Sequence, residues 1–139
     1  MADIKHYLVI DTPASKVYEA ITSQKGLAGW WTLETTANPV VGGFNEFKFG
    51  DRFYNKMKNI ELTPNKKVEW ECVQAEPDWI GTHIVFDLEE KDDKTTLRFA
   101  HQGWREANDF YASCNYNWGQ YMKSIKLLCE TGKGKPFGA

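Results

Sequence analysis

Three histidines (His6, His83, His101) and three cysteines (Cys72, Cys114, Cys129) are the side chains here with the widest chemical range. Their spacing is that of isolated residues. There is no His-x-x-x-His, no Cys/His cluster and no acidic pair at ligand spacing, so no metal site is expected. Gly-x-Ser-x-Gly, a P-loop and Gly-x-Gly-x-x-Gly are all absent, and no cofactor is implied. The cysteines are odd in number, widely separated and without an adjacent basic residue, which reads as reduced core thiols in a cytoplasmic protein. His101 is the one candidate for catalysis. It falls on the inward parity of a strand near Trp104, where an imidazole with a pKa of about 6.5 could act as a general base or orient a ligand carbonyl. The competing reading, a hydrogen-bonded residue tying strand to helix, carries more weight because no catalytic partner accompanies it in sequence. His6 and His83 read as surface residues.

Binding chemistry is better represented. Six Trp, six Tyr and eight Phe make 14% of the chain aromatic, and such side chains bury about 150–250 Å² each. Trp30, Trp31, Phe47, Phe49, Met57, Trp70, Phe86, Phe99, Tyr116, Trp118 and Tyr121 fall on inward parities and form a candidate cavity wall. Asn55, His101, Asn117 and Tyr121 are the candidate polar contacts within it. Any single ring is more often core than ligand box; the set as a whole points to a small hydrophobic or aromatic ligand.

These residues must be positioned by definite elements. Ile4–Ile10 is rich in β-branched and aromatic residues and reads as a strand. Thr12 as N-cap and Pro13 in the first turn open a helix whose Ala14, Val17, Tyr18 and Ile21 share a face. A short segment around Leu27, Trp30 and Trp31 bends toward the sheet. Period two then takes over. Asn45, Phe47 and Phe49 alternate with Phe44, Glu46 and Lys48, and the strand from Phe53 to Leu62 needs a bulge near Lys58 or Asn59. Val68, Trp70 and Cys72, then Ile84, Phe86 and Leu88, then Leu97, Phe99 and His101 fill the inner parities of later strands. From Gly103 to Thr131, Phe110, Cys114, Trp118, Tyr121, Ile125 and Leu128 recur at steps of three and four, the pattern of one long amphipathic helix. Residues 132–139 read as a loose tail after a Gly132 stop.

At 139 residues the chain reads as a single domain spanning 1–139. Its net charge of −2 gives no general attraction to nucleic acid, and no apolar run is long enough for membrane insertion. The order of elements implies an α+β fold in which a curved antiparallel sheet wraps a long C-terminal helix, with two short helices after the first strand and a space near the sheet's open end.

TPASKVYEAITSQKGLAGWW, VGGFNEFKFGD, GTHIVFDLEEKDDKTTLRFAHQGW and NYNWGQYMKSIKLLCETGKG, in that order, resemble the START-like (SRPBCC) superfamily in its branch of activators of the heat-shock-protein-ninety ATPase. The resemblance spans nearly the whole chain and implies a helix-grip fold. One departure is Asn117-Trp118-Gly119 where the family often has Gly-Gly-Trp. The resemblance implies no particular ligand. It adds two alternatives to ligand binding: a cyclase- or aromatase-like enzyme using His101 with Tyr121 or Asn117, and a co-chaperone-like interaction module. Homodimerisation through an edge strand or the Trp30-Trp31 bend is open, as is a chaperone contact, and the sequence supports neither.

Overall fold

The first strand, β1 (Ala2–Ile10), alternates as expected, with Ile4 and Ile10 buried and Lys5, Tyr7 and Val9 exposed, in a computed structural model that describes all residues from Met1 to Ala139. His6 shares the inward parity. It is packed near Phe99, with ring centroids 6.1 Å apart, and its Nε2 is buried. The surface placement expected for it is therefore wrong, because β1 is covered on this side by the long helix rather than by water.

Two short helices follow, α1 (Ala14–Ala20) and α2 (Gln24–Trp30). Pro13 itself occupies the N-cap position of α1, which puts Thr12 one residue too early to cap it. Glu90 takes over the task, accepting the Ala14 N–H at 2.7 Å, while the Thr12 carbonyl accepts from the Thr95 hydroxyl at 2.8 Å. Ser23 caps α2 by accepting from the Gly26 N–H at 2.9 Å. Gly26 is where the two helices touch: a Cβ there would come within 2.6 Å of the Ala20 Cα.

Six more strands run β2 (Glu34–Thr36), β3 (Phe44–Phe49), β4 (Phe53–Thr63), β5 (Lys67–Gln74), β6 (His83–Lys91) and β7 (Lys94–Trp104). All neighbours are antiparallel, in the order β1-β7-β6-β5-β4-β3-β2. The register of β4 against β5 slips between Asn59 and Glu61, so the expected bulge is present, and a second slip lies between Lys56 and Met57. At the first slip Asn59 ties down the preceding loop. Its Nδ2 donates to the Asn38 carbonyl at 2.8 Å and its Oδ1 accepts from Asn45 at 3.2 Å.

The last helix, α3 (Asp109–Thr131), is capped by Asn108 and ends at Gly132, whose φ of 87° is the left-handed conformation that glycine adopts without a Cβ clash. It buries Cys114, Trp118, Met122, Ile125 and Cys129 against the sheet and the short helices, which gives the helix-grip architecture. No helix is long and apolar enough to cross a membrane. The segment after α3 is not loose. Phe137 accepts from the Leu33 N–H at 3.1 Å and donates to the Trp31 carbonyl at 2.9 Å, and its ring meets Phe49 with centroids 5.6 Å apart. An aromatic side chain with an apolar face to cover holds a terminus that glycines and lysines alone would leave free.

Candidate functional site

At the open end of the grip lies a cavity of about 350 Å³, partly open to solvent. Each wall is placed by a separate element. Trp31 closes α2, Phe49 ends β3, and Phe53 begins β4 directly opposite it. The turn between them depends on Gly50 at φ 61° and carries Arg52 at the rim. Trp79 comes from the connection between β5 and β6; Phe110, Cys114, Asn117, Trp118 and Tyr121 descend from α3; Phe137 reaches in from the C-terminal segment.

Three indoles form a column along one side. Trp31 and Trp118 stack at 5.1 Å and 27°, and Trp118 and Trp79 at 6.1 Å and 16°. Phe49 and Phe53 meet edge to face, as do Phe53 and Trp79. Such offset and tilted pairs are each worth about 0.5–1.5 kcal/mol beyond burial, so the walls are held in place before any ligand arrives.

His101 lies behind this column, fully buried. Trp118 Nε1 donates to His101 Nδ1 at 3.1 Å, which leaves the proton on Nε2 and directs it to Thr82 Oγ1 at 2.8 Å; the Thr82 hydroxyl in turn donates to the Trp79 carbonyl at 2.6 Å. Every member of this chain is satisfied. Burial pushes the imidazole pKa down to about 3, so it stays neutral near pH 7. Acid–base chemistry would need His101 in an open pocket beside a second titratable group, whereas its two nitrogens are committed to a hydroxyl and an indole. It ties strand to helix.

The thiol and the phenol in the wall are equally quiet. Burial raises the Cys114 thiol to about 11, with the neighbouring Trp79 N–H opposing the rise and the Asp78 charge adding to it, and burial likewise raises the Tyr121 phenol. Near neutrality both keep their protons.

Of the residues expected to line the cavity, Trp31, Phe49, Asn117, Trp118 and Tyr121 do. Trp30, Phe47, Met57, Trp70, Phe86 and Phe99 are part of the packed core beneath it; Trp30, for example, donates to the Ala20 carbonyl at 2.7 Å. Tyr116 is 69% exposed, because it lies on the outer face of α3, two residues before Trp118 and so far round the helix from it. Asn55 is fully buried, opposite Phe47 and between Phe53 and Met57 along its strand, and neither atom of its amide finds a hydrogen-bond partner. An unpaired buried amide costs about 1–3 kcal/mol. Asn55→Leu should therefore raise stability by about 1–2 kcal/mol in urea titration, and a destabilised variant would mean that the amide is satisfied in solution.

Arg52, Phe53, Trp79, Phe110, Cys114 and Phe137 complete the lining. Phe110 and Cys114 are on the helix stripe legible in sequence. Trp79 is harder to anticipate: it sits in a non-repetitive connection, and its only sequence signal is an aromatic between Pro77 and Gly81, fixed here by the turn from Trp79 N to the Glu76 carbonyl at 2.9 Å. Phe137 likewise sits in a segment that composition marks as free. Phe137→Ala should cost about 1–2 kcal/mol, since the ring is only half buried, and should weaken any ligand held in the cavity. Thermal unfolding with and without ligand checks both.

A seven-stranded antiparallel sheet gripping a long helix, with a cavity at its open end, defines a helix-grip protein of the START-like superfamily. Within it, the chain belongs to the family described as Activator of Hsp90 ATPase homolog 1-like protein, whose model matches residues 11–130. It is similar to the Aha1 dimer from Colwellia psychrerythraea, with 38% identity, coverage of 96% of this chain and 100% of that one, and a TM-score of 0.89. MLL2253 from Mesorhizobium loti shares the fold at 19% identity, 91% and 96% coverage and a TM-score of 0.80. CalU16 from Micromonospora echinospora does so at 16% identity, 96% and 76% coverage and a TM-score of 0.78. No curated protein matches the chain.

Proposed function

We propose that the protein binds a small hydrophobic or aromatic molecule in the cavity between the sheet and α3. The observation that carries this reading is the lining itself: nine of its eleven residues are hydrophobic, and they surround a volume of about 350 Å³. That volume falls at the lower end of the roughly 300–1,000 Å³ typical of ligand pockets. The quiet state of His101, Cys114 and Tyr121 favours binding over acid–base or nucleophilic chemistry. The test is titration of tryptophan fluorescence with a panel of aromatic metabolites and short-chain lipids, followed by thermal unfolding. Saturable quenching with a rise in Tm is the expected result; a panel that leaves both unchanged overturns the reading.

Self-association is a second reading, favoured by the 38% identity to a protein described as a dimer. Sedimentation equilibrium across a hundredfold concentration range distinguishes a dimer from a monomer. The three buried thiols suit a reducing, cytoplasmic setting. A chaperone contact rests on the family description alone and is ranked last.

A further inference from the structure

Arg52 is the only charged residue in the cavity wall, and its guanidinium is unoccupied. The other two arginines are engaged: Arg98 pairs with Glu89 at 2.8 Å and stands over the Tyr7 ring, and Arg105 donates to the carbonyls of Pro77 and Ile80, both at 2.9 Å. Arg52 makes no ion pair and no side-chain hydrogen bond, although Asp51 and Glu76 line the same outer groove. Its position at the rim sets a cation at the mouth of an otherwise aromatic chamber. A guanidinium there offers two parallel N–H donors in the geometry that a carboxylate accepts.

We propose that the cavity is built for an amphipathic organic anion: an aromatic body lodged against the Trp31, Trp118 and Trp79 indoles, and a carboxylate held by Arg52. This rests on the cavity being a ligand site and adds the ligand's charge and polarity. The size fits one ring with a short linker, since an apolar cavity of about 150 Å³ already accepts benzene. The protein's net charge of −2 opposes anions, so a preference for an acid over its neutral amide has to come from a local group.

The test compares 3-phenylpropanoate with 3-phenylpropanamide, which differ in charge and little in shape, followed by the indole N–H signals of Trp31, Trp79 and Trp118 in nitrogen-15-labelled protein. Wild type should bind the acid about threefold to tenfold more tightly than the amide, an advantage that shrinks with added salt. Arg52→Gln should bind the acid and the amide alike, and Arg52→Glu should bind the acid more weakly than the amide. Arg52 is exposed and its side chain makes no hydrogen bond or ion pair, so each variant should keep the wild-type circular dichroism and Tm, which certify the fold independently of binding. Equal binding of the two compounds by wild type, or an acid preference that survives in Arg52→Gln, overturns the proposal while leaving the cavity a ligand site. If neither compound shifts an indole signal in wild type, the proposal falls, while the binding reading is decided separately by the panel titration.

Discussion

Taking the protein from pH 7.5 to pH 4.5 should remove about 3 kcal/mol of stability through His101 alone. The folded state keeps this imidazole neutral down to about pH 3, because a charge there would be buried between an indole N–H and a threonine hydroxyl. The unfolded chain takes up the proton near pH 6.5. Between those two values the unfolded state binds more protons, so stability falls as pH falls, by about 1.4 kcal/mol per pH unit. Above pH 6.5 the effect is fully absent as a pH dependence and fully present as stability. Urea titrations at half-unit intervals should show this slope in wild type and a flatter profile in His101→Gln. Glu130, whose carboxyl is held below its ordinary range by the Asp11 N–H and by Lys126, adds a smaller loss in the same direction at lower pH. The imidazole carbon shifts of His101 give a direct check: they should stay constant from pH 8 to pH 4.5, and an inflection near pH 6.5 would show that the ring is hydrated.

Trp118→Ala should be the most damaging single substitution, at about 4–6 kcal/mol. The side chain is 2% exposed, stacked between Trp31 and Trp79 and tilted against Phe99 at 4.6 Å. Loss of a buried Trp costs about 3–5 kcal/mol, and the stranded His101 Nδ1 adds a further desolvation penalty that is not additive with the first. Set against a total of about 5–15 kcal/mol, the variant should be partly unfolded at 37 °C. Trp118→Phe separates the two contributions, since it keeps most of the packing and removes only the donor; about 1–3 kcal/mol is expected, read from the urea midpoint. A cost below about 2 kcal/mol for the alanine variant would mean that the indole column does not hold the sheet to α3.

The fold was legible in the sequence because each of its parts has a local cause. The alternation of Asn45, Phe47 and Phe49, the three-four stripe of Cys114, Trp118 and Ile125, and the bulge demanded by the parity change in β4 all survive in three dimensions. What could not be read was depth. Parity puts Phe47, Trp70 and Phe86 on the inner face, but whether an inner side chain meets another ring or a space depends on how far along the sheet the helix begins. Phe49 and Phe53 mark that limit, and the cavity starts there. His101 shows the same ambiguity: an inward histidine near a cavity and one sealed behind it have the same strand position, and the hydroxyl that distinguishes them, Thr82, comes from the neighbouring strand's approach. Trp79 and Phe137 were missed because neither belongs to a periodic element, and tertiary contacts alone fix them.

Six of the seven strands, from β2 to β7, pair with neighbours in the chain, whereas β1 at the N-terminus joins β7 near the other end. During synthesis, β1 emerges ahead of β7 and lacks this partner until residues 95–104 have followed it. At about 5–20 residues per second that is a wait on the order of 5–20 seconds with its backbone amides unmatched. Asp3 and Lys5 set charges on the solvent side of this strand, and charge on an unpaired strand disfavours its annealing to another chain.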